Sequence, residues 1–220
     1  MVRKAEATDA AIGFRVKSGW ATAVLLAGPA QTPQALDRCI VELSDPDVPA
    51  SKQPYHAAMG MLEQYAAEIR RRTKVVQRVA ARSVAELLDR FRAVGSPIRG
   101  AGLVVGSQID PASIANPHIR AHALEGSLFR SVLAEALRAH RLSCSVVMER
   151  DIYGKAVTVL VRSEGDLKRA VSSLGRALEG PWRAEEKFSA INREKVHGVW
   201  YLPPEPRNST QRPEVAGARS

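Results

Sequence analysis

The chain has 220 residues, 45% hydrophobic and 25% charged, which suits one sizeable core, with or without a short appendage. Its 32 Lys+Arg against 23 Asp+Glu leave a formal charge of +9, favouring an anionic partner such as nucleic acid, nucleotide or an acidic membrane surface. Neither a thiol site nor a membrane span is expected: Cys39 and Cys144 lack metal or redox spacing, and no window is apolar for long enough to cross a bilayer.

The opening MVRKAEATDAA runs from basic to polar and acidic residues without an apolar centre, so it does not read as a signal peptide, and a cytoplasmic location is expected. Residues 1–9 read as a flexible N-terminus and 10–202 as a single α/β domain with a C-terminal helical part. Ile12, Phe14 and Val16 then alternate with Gly13, Arg15 and Lys17. After Ser18-Gly19 the apolar pattern resumes as WATAVLLAG, which predicts two strands around a tight glycine turn. A third strand is predicted in ALDRCIVELS, and DPDVPASKQP is a loop.

From Tyr55 the period becomes helical, with Met61/Leu62, Tyr65/Ala66 and Ile69 in step. The run Arg70-Arg71-Arg72 with Lys74 reads as a solvated helix face. Ser83 to Glu86 has the form of a capping box and predicts a second helical segment through Phe91, either continuous with the first or separated from it by an extended TKVVQRVAAR. GAGLVVGSQI is a buried strand bounded by glycines, and its glycines lie inside the strand, which is the wrong place for a dinucleotide loop. No cofactor is expected. Leu124, Leu128, Val132 or Leu133, and Leu137 place a helix over about 121–140, followed by a strand in LSCSVVMER. AVTVLV is ambiguous, EGDLKRAVSSLGRALEG is an amphipathic helix, and a short helix is predicted through RAEEKFSAINR. The segment 203–220, rich in Pro, Arg, Ser and Gly, reads as a disordered tail.

Three strands followed by alternating helices and strands predict an α/β fold with a mixed sheet, an opening antiparallel meander and helices on both faces. That order, with the first hairpin IGFRVKSGWATAVLL, resembles the ribonuclease-H-like fold, especially its Holliday-junction-resolvase-type members. The resemblance implies a nuclease whose first strand delivers an aspartate to a two-metal carboxylate centre. Here the matching position is Arg15, a cation that repels metal, and Gly106, Ser107 and Gln108 stand where a second acid would follow. Asp110, Glu149 and Asp151 remain near strand ends, too few for that centre.

Arg15 and Lys17 share one side of their strand and suit phosphate oxygens; the plainer alternative, which we favour, is a charged, partly exposed hairpin face. A second constellation lies in NPHIRAHALEG, where His118, His122 and Glu125 share a helical face at metal-ligand spacing. The zincin glutamate beside the first histidine is replaced by Ile119, and local capping by the histidines is the plainer alternative. Anion binding at the same helix start would use His118 or Arg120. Tyr55 and His56 sit where the upstream helix is expected to begin.

The function these residues favour is a non-catalytic binding module for an anionic partner, nucleic acid or nucleotide, with Arg15, Lys17, His56 and Arg120 as anion-binding candidates. The alternatives are a metal-assisted hydrolase around His118, His122 and Glu125, and a scaffold that self-associates through its helical faces as a homo-oligomer. Whether Arg15, Lys17, His56 and His118 converge decides among them.

Overall fold

The computed structural model describes residues 8–29, 31–57 and 60–191. β1 (Ala10–Lys17) and β2 (Trp20–Ala27) pair antiparallel from Ala10↔Ala27 to Lys17↔Trp20. Gly19 makes the turn between them at φ 85, a conformation that costs an L side chain dearly. β3 (Gln34–Glu42) adds antiparallel to β2, while β4 (Ile98–Val105) lies parallel to β1 and β5 (Cys144–Met148) parallel to β4. The sheet order is β3-β2-β1-β4-β5, a mixed sheet with the predicted meander at one side.

Side-chain alternation along β1 sorts the two faces. Ile12, Phe14 and Val16 turn toward α1 (Ala66–Arg92) and α2 (Pro117–Ala139), meeting Val76, Leu88, Phe91, Phe129 and Leu133 in the principal core. The opposite face carries α3 (Ile152–Leu160), α4 (Glu164–Leu174) and α5 (Ala184–Ile191), packed through Val104, Val147, Ile152, Leu167, Val171 and Ile191. α5 lies so close to β1 that a Cβ on Gly13 would fall inside the Ser189 carbonyl group.

Two open local readings are settled and one expectation changes. Of the two readings at Ser83 the continuous helix is the one formed: Ser83 is the middle of one α1, because Val76, Val79, Ala80, Val84, Leu87, Leu88 and Phe91 form one unbroken buried stripe. Burial of that stripe outweighs the capping tendency of a serine. The same helix begins at Ala66, not near Tyr55, since residues 49–57 and 60–65 form a short 3-10 turn, bends and a single bridge between His56 and Leu62. The ambiguous AVTVLV is helical through Leu160, the end of α3, where burial of Ile152 and Ala156, one turn apart, outweighs its β-branched bias. The expected tail 203–220 lies outside the described residues.

Both cysteines are half-buried against the principal core, and burial pushes the Cys39 thiol up to about 11, leaving it protonated and unreactive near neutral pH. Among the described residues no helix is long and apolar enough to cross a membrane.

Candidate metal centre

Because β1, β4 and β5 run the same way, their C-terminal ends share one end of the sheet, the usual place for ligands in open α/β folds. Arg15 and Lys17 are there, on the α5 face. Arg15 is only 4% exposed, against the half-open strand face expected for it, because α5 covers this part of β1. Its guanidinium is ion-paired with Glu149, donates to the Val16 carbonyl at 3.1 Å and lies 5.9 Å from the centre of the Phe188 ring. Burial pulls its pKa down, and the nearby Glu149 and Glu185 carboxylates oppose that shift. Lys17 lies 3.9 Å from Glu185. Asp110 caps a short turn by accepting from the Ala112 N–H at 3.0 Å, and Asp151 faces Lys155 at 3.8 Å. These acids do not gather into one carboxylate centre; at this end of the sheet an internal cation joins Glu149 to β1.

The other cluster is on the opposite face. α2 starts at Pro117, with the Asn116 side chain accepting from the Ile119 N–H at 3.1 Å, so the helix begins just before His118. This puts His118 and His122 one turn apart on the same face, with Glu125 beneath them. The loop after β3 brings His56 to the same place. Arg72 anchors that loop: it donates to the His56 carbonyl at 2.9 Å and to Glu63 at 2.9 Å, while Glu63 accepts from the Gln64 and Tyr65 N–H groups at 3.0 Å. One member of the basic run expected to be solvated is therefore an internal brace, its side chain 12% exposed.

The three rings meet edge to face or tilted in a compact knot, with centroids 4.5, 4.6 and 5.2 Å apart. The Nδ1 atom of each ring faces an acceptor. His56 Nδ1 is 2.7 Å from Glu125 Oε1, His118 Nδ1 is 2.8 Å from the Gly60 carbonyl, and His122 Nδ1 is 3.6 Å from Glu125 Oε2. With protons placed at Nδ1, the Nε2 lone pairs are the ones left for a ligand. The Nε2 atoms of His118 and His122 are 3.2 Å apart, and one ligand nitrogen from each of the three rings lies within 4.8 Å of the others. Two nitrogens each about 2.0–2.1 Å from a tetrahedral ion are separated by about 3.3–3.4 Å, which the His118–His122 pair already satisfies.

An N–H···N hydrogen bond between His118 and His122 would explain that pair alone. It leaves His56, whose side chain is 7% exposed and whose Nε2 is buried without a hydrogen-bond partner. A buried, orphaned ring nitrogen needs a cause, and a shared cation supplies one. The protonation balance points the same way. Burial, then the neighbouring His56 and His118, holds the His122 pKa below its ordinary value, favouring the neutral ring that metals bind. Burial pushes the Glu125 carboxyl up, opposed by its hydrogen bond to His56, and the Tyr55 N–H also reaches it.

Of the residues singled out from sequence, His118, His122 and Glu125 do meet, but Glu125 stands behind the rings on their Nδ1 side. His56 joins the two histidines, whereas Arg15 and Lys17 lie across the sheet. The Arg120 guanidinium turns back to the Ile114 carbonyl at 2.7 Å. No local spacing marks His56 as a partner of α2, because a loop carries it there.

Element order, mixed sheet and flanking helices have counterparts among solved structures. Thermus thermophilus RuvC in complex with a Holliday junction substrate matches with a TM-score of 0.50 at 10% identity, over 87% of this chain and 94% of that one. The fold is ribonuclease-H-like. A second Thermus thermophilus RuvC structure gives a TM-score of 0.49 at 11% identity over the same shares, 87% and 94%. An Aquifex aeolicus member of the Ppx/GppA protein family gives 0.32 at 12% identity over 70% of this chain and 39% of that one. No protein-family model and no curated protein matches the sequence.

Proposed function

We propose that this ribonuclease-H-like domain works through a divalent cation of the zinc class held by His56, His118 and His122. The observation that carries this reading is the buried, partnerless Nε2 of His56 beside two exposed imidazoles whose Nε2 atoms are already at metal-ligand separation. Imidazole donors suit zinc, cobalt or nickel better than magnesium, which prefers oxygen. The cation would supply Lewis acidity; the protein supplies orientation, with Glu125 and the Gly60 carbonyl holding the rings and the Arg72 brace holding the loop. The two-metal chemistry implied by the fold finds no support at the sheet end, where Arg15 fills the centre.

Metal analysis of the purified chain tests this. About one equivalent of zinc or added cobalt is expected, lost in both His56→Ala and His118→Ala, with cobalt giving the absorption of a tetrahedral site. A wild-type chain that takes up neither ion at micromolar concentration refutes it.

A second reading rests on charge. α1 presents Arg70, Lys74, Arg78 and Arg82 to solvent, the whole chain carries +9, and the RuvC relative was solved on a Holliday junction, so nucleic acid is the partner this surface favours. Retention on DNA that weakens steeply with salt supports it, and salt-insensitive or absent retention removes it.

A further inference from the structure

We infer that the cation at His56, His118 and His122 keeps one position open to solvent and there takes the anionic oxygen of a phosphate ester, which it hydrolyses. This rests on the metal reading above. Closed structural zinc sites use four protein ligands, whereas catalytic ones use three and leave a fourth position for water or substrate. Among the described residues the donor group holds three histidines. Glu125, the carboxylate in contact with them, is fully buried and faces the Nδ1 side of His56 and His122, so it cannot become a fourth ligand without releasing His56. His118 and His122 are exposed, which puts the remaining position on the solvent side.

Charge selects the ligand. Three neutral imidazoles cancel none of the ion's double positive charge, and the single carboxylate behind them, Glu125, offsets at most one unit, so the site stays net positive. His118 is the second residue of α2, whose first turn contains no acidic residue, so the helix N-terminus adds partial positive charge at the same point. An anionic oxygen is therefore attracted from two directions, and the chain's net charge steers polyanions toward it. In the reaction a water oxygen forms a bond to phosphorus as the bond from phosphorus to the leaving alcohol's oxygen breaks. One water proton goes to that leaving oxygen and the other to solvent as the product phosphate ionises. Nothing is oxidised or reduced, and water is the sole co-reactant.

The test uses the full chain loaded with one equivalent of zinc and three probes: bis-nitrophenyl phosphate, nitrophenyl phosphate and nitrophenyl acetate. Saturable nitrophenolate release from a phosphate probe is expected, abolished by EDTA and restored by zinc. His118→Ala, at an exposed position that spares the core, falls to the metal-free background, while Arg169→Ala on the exposed face of α4 retains wild-type turnover. Preference for the diester indicates a nucleic-acid backbone, and preference for the monoester indicates a terminal phosphate; either supports the inference. A chain that binds zinc stoichiometrically yet cleaves neither phosphate, or cleaves only the acetate, overturns the inference and leaves the metal reading standing. Failure to take up zinc overturns both.

Discussion

Arg15 on β1 and Glu149 just past β5 are ion-paired although their strands are not neighbours; β4 lies between them. The pair ties the outer parallel strand to the first strand across the end of the sheet. Glu149 is 36% exposed, so the link is partly screened, but the guanidinium is enclosed and its loss leaves Glu149 beside Glu185 without the cation that separates them.

Arg15→Asp is accordingly expected to destabilise the fold by about 1–3 kcal/mol through the lost pair, with further cost from like charge. Because the substitution gathers three carboxylates at one place, millimolar magnesium or manganese should recover part of the loss, and should not affect the wild type. Denaturant titrations with and without the ions check this; a variant as stable as wild type in EDTA contradicts the assigned role of Arg15.

Glu125→Gln is expected to weaken zinc binding about 10–100-fold, the usual effect of losing an orienting carboxylate behind a histidine ligand. The fold should persist, since the amide fits the same space. Competition against a chromophoric chelator measures the affinity, and an unchanged value means Glu125 does not orient the rings.

The metal-free chain should lose stability on acidification through His122. Its folded pKa lies below the ordinary 6.5, so the unfolded chain takes up the proton first, and stability falls from about pH 6.5 until the folded ring also titrates. Glu125 works in the opposite sense: its raised pKa lets the folded chain bind a proton earlier, adding stability as pH falls toward 4.5. Comparing wild type with His122→Asn in EDTA isolates the histidine. The stability difference between them should shrink between about pH 7 and pH 5, and a difference that stays level or grows contradicts the assignment.

Gly13→Ala is expected to push α5 away from β1, because the added Cβ would overlap the Ser189 carbonyl. A cost of about 1–3 kcal/mol or more follows from overpacking against backbone that cannot yield. Chemical denaturation gives the magnitude, and earlier protease cleavage within residues 184–191 would localise it.

The sheet was readable in the sequence because its strands carry strong signals: Ile12, Phe14 and Val16 alternate, glycines bound GAGLVVG, and helical period separates the strands. What stayed open were local signals that only packing decides. The capping-box form at Ser83 leaves open whether α1 is continuous until Val79 and Ala80 are seen to be buried, and AVTVLV stays ambiguous until Ile152 and Ala156 are seen to pack on the sheet. Three of the four residues of the candidate site were legible for the same reason: His118, His122 and Glu125 are fixed relative to one another by helical geometry alone. His56 was not, since its position depends on Arg72 and Glu63 holding a long connection in place. The burial of Arg15 was hidden too, because α5 covers it from far along the chain.

A guanidinium is part of the polypeptide and cannot be chelated, exchanged or starved away. The charge at the Arg15 end of the sheet is therefore settled once, when the chain folds, and stays the same whatever ions surround the protein. Across the sheet, an ion held as proposed by the imidazole cluster would answer to supply, so one small domain would set a fixed cation, already paired with Glu149, against a replaceable one.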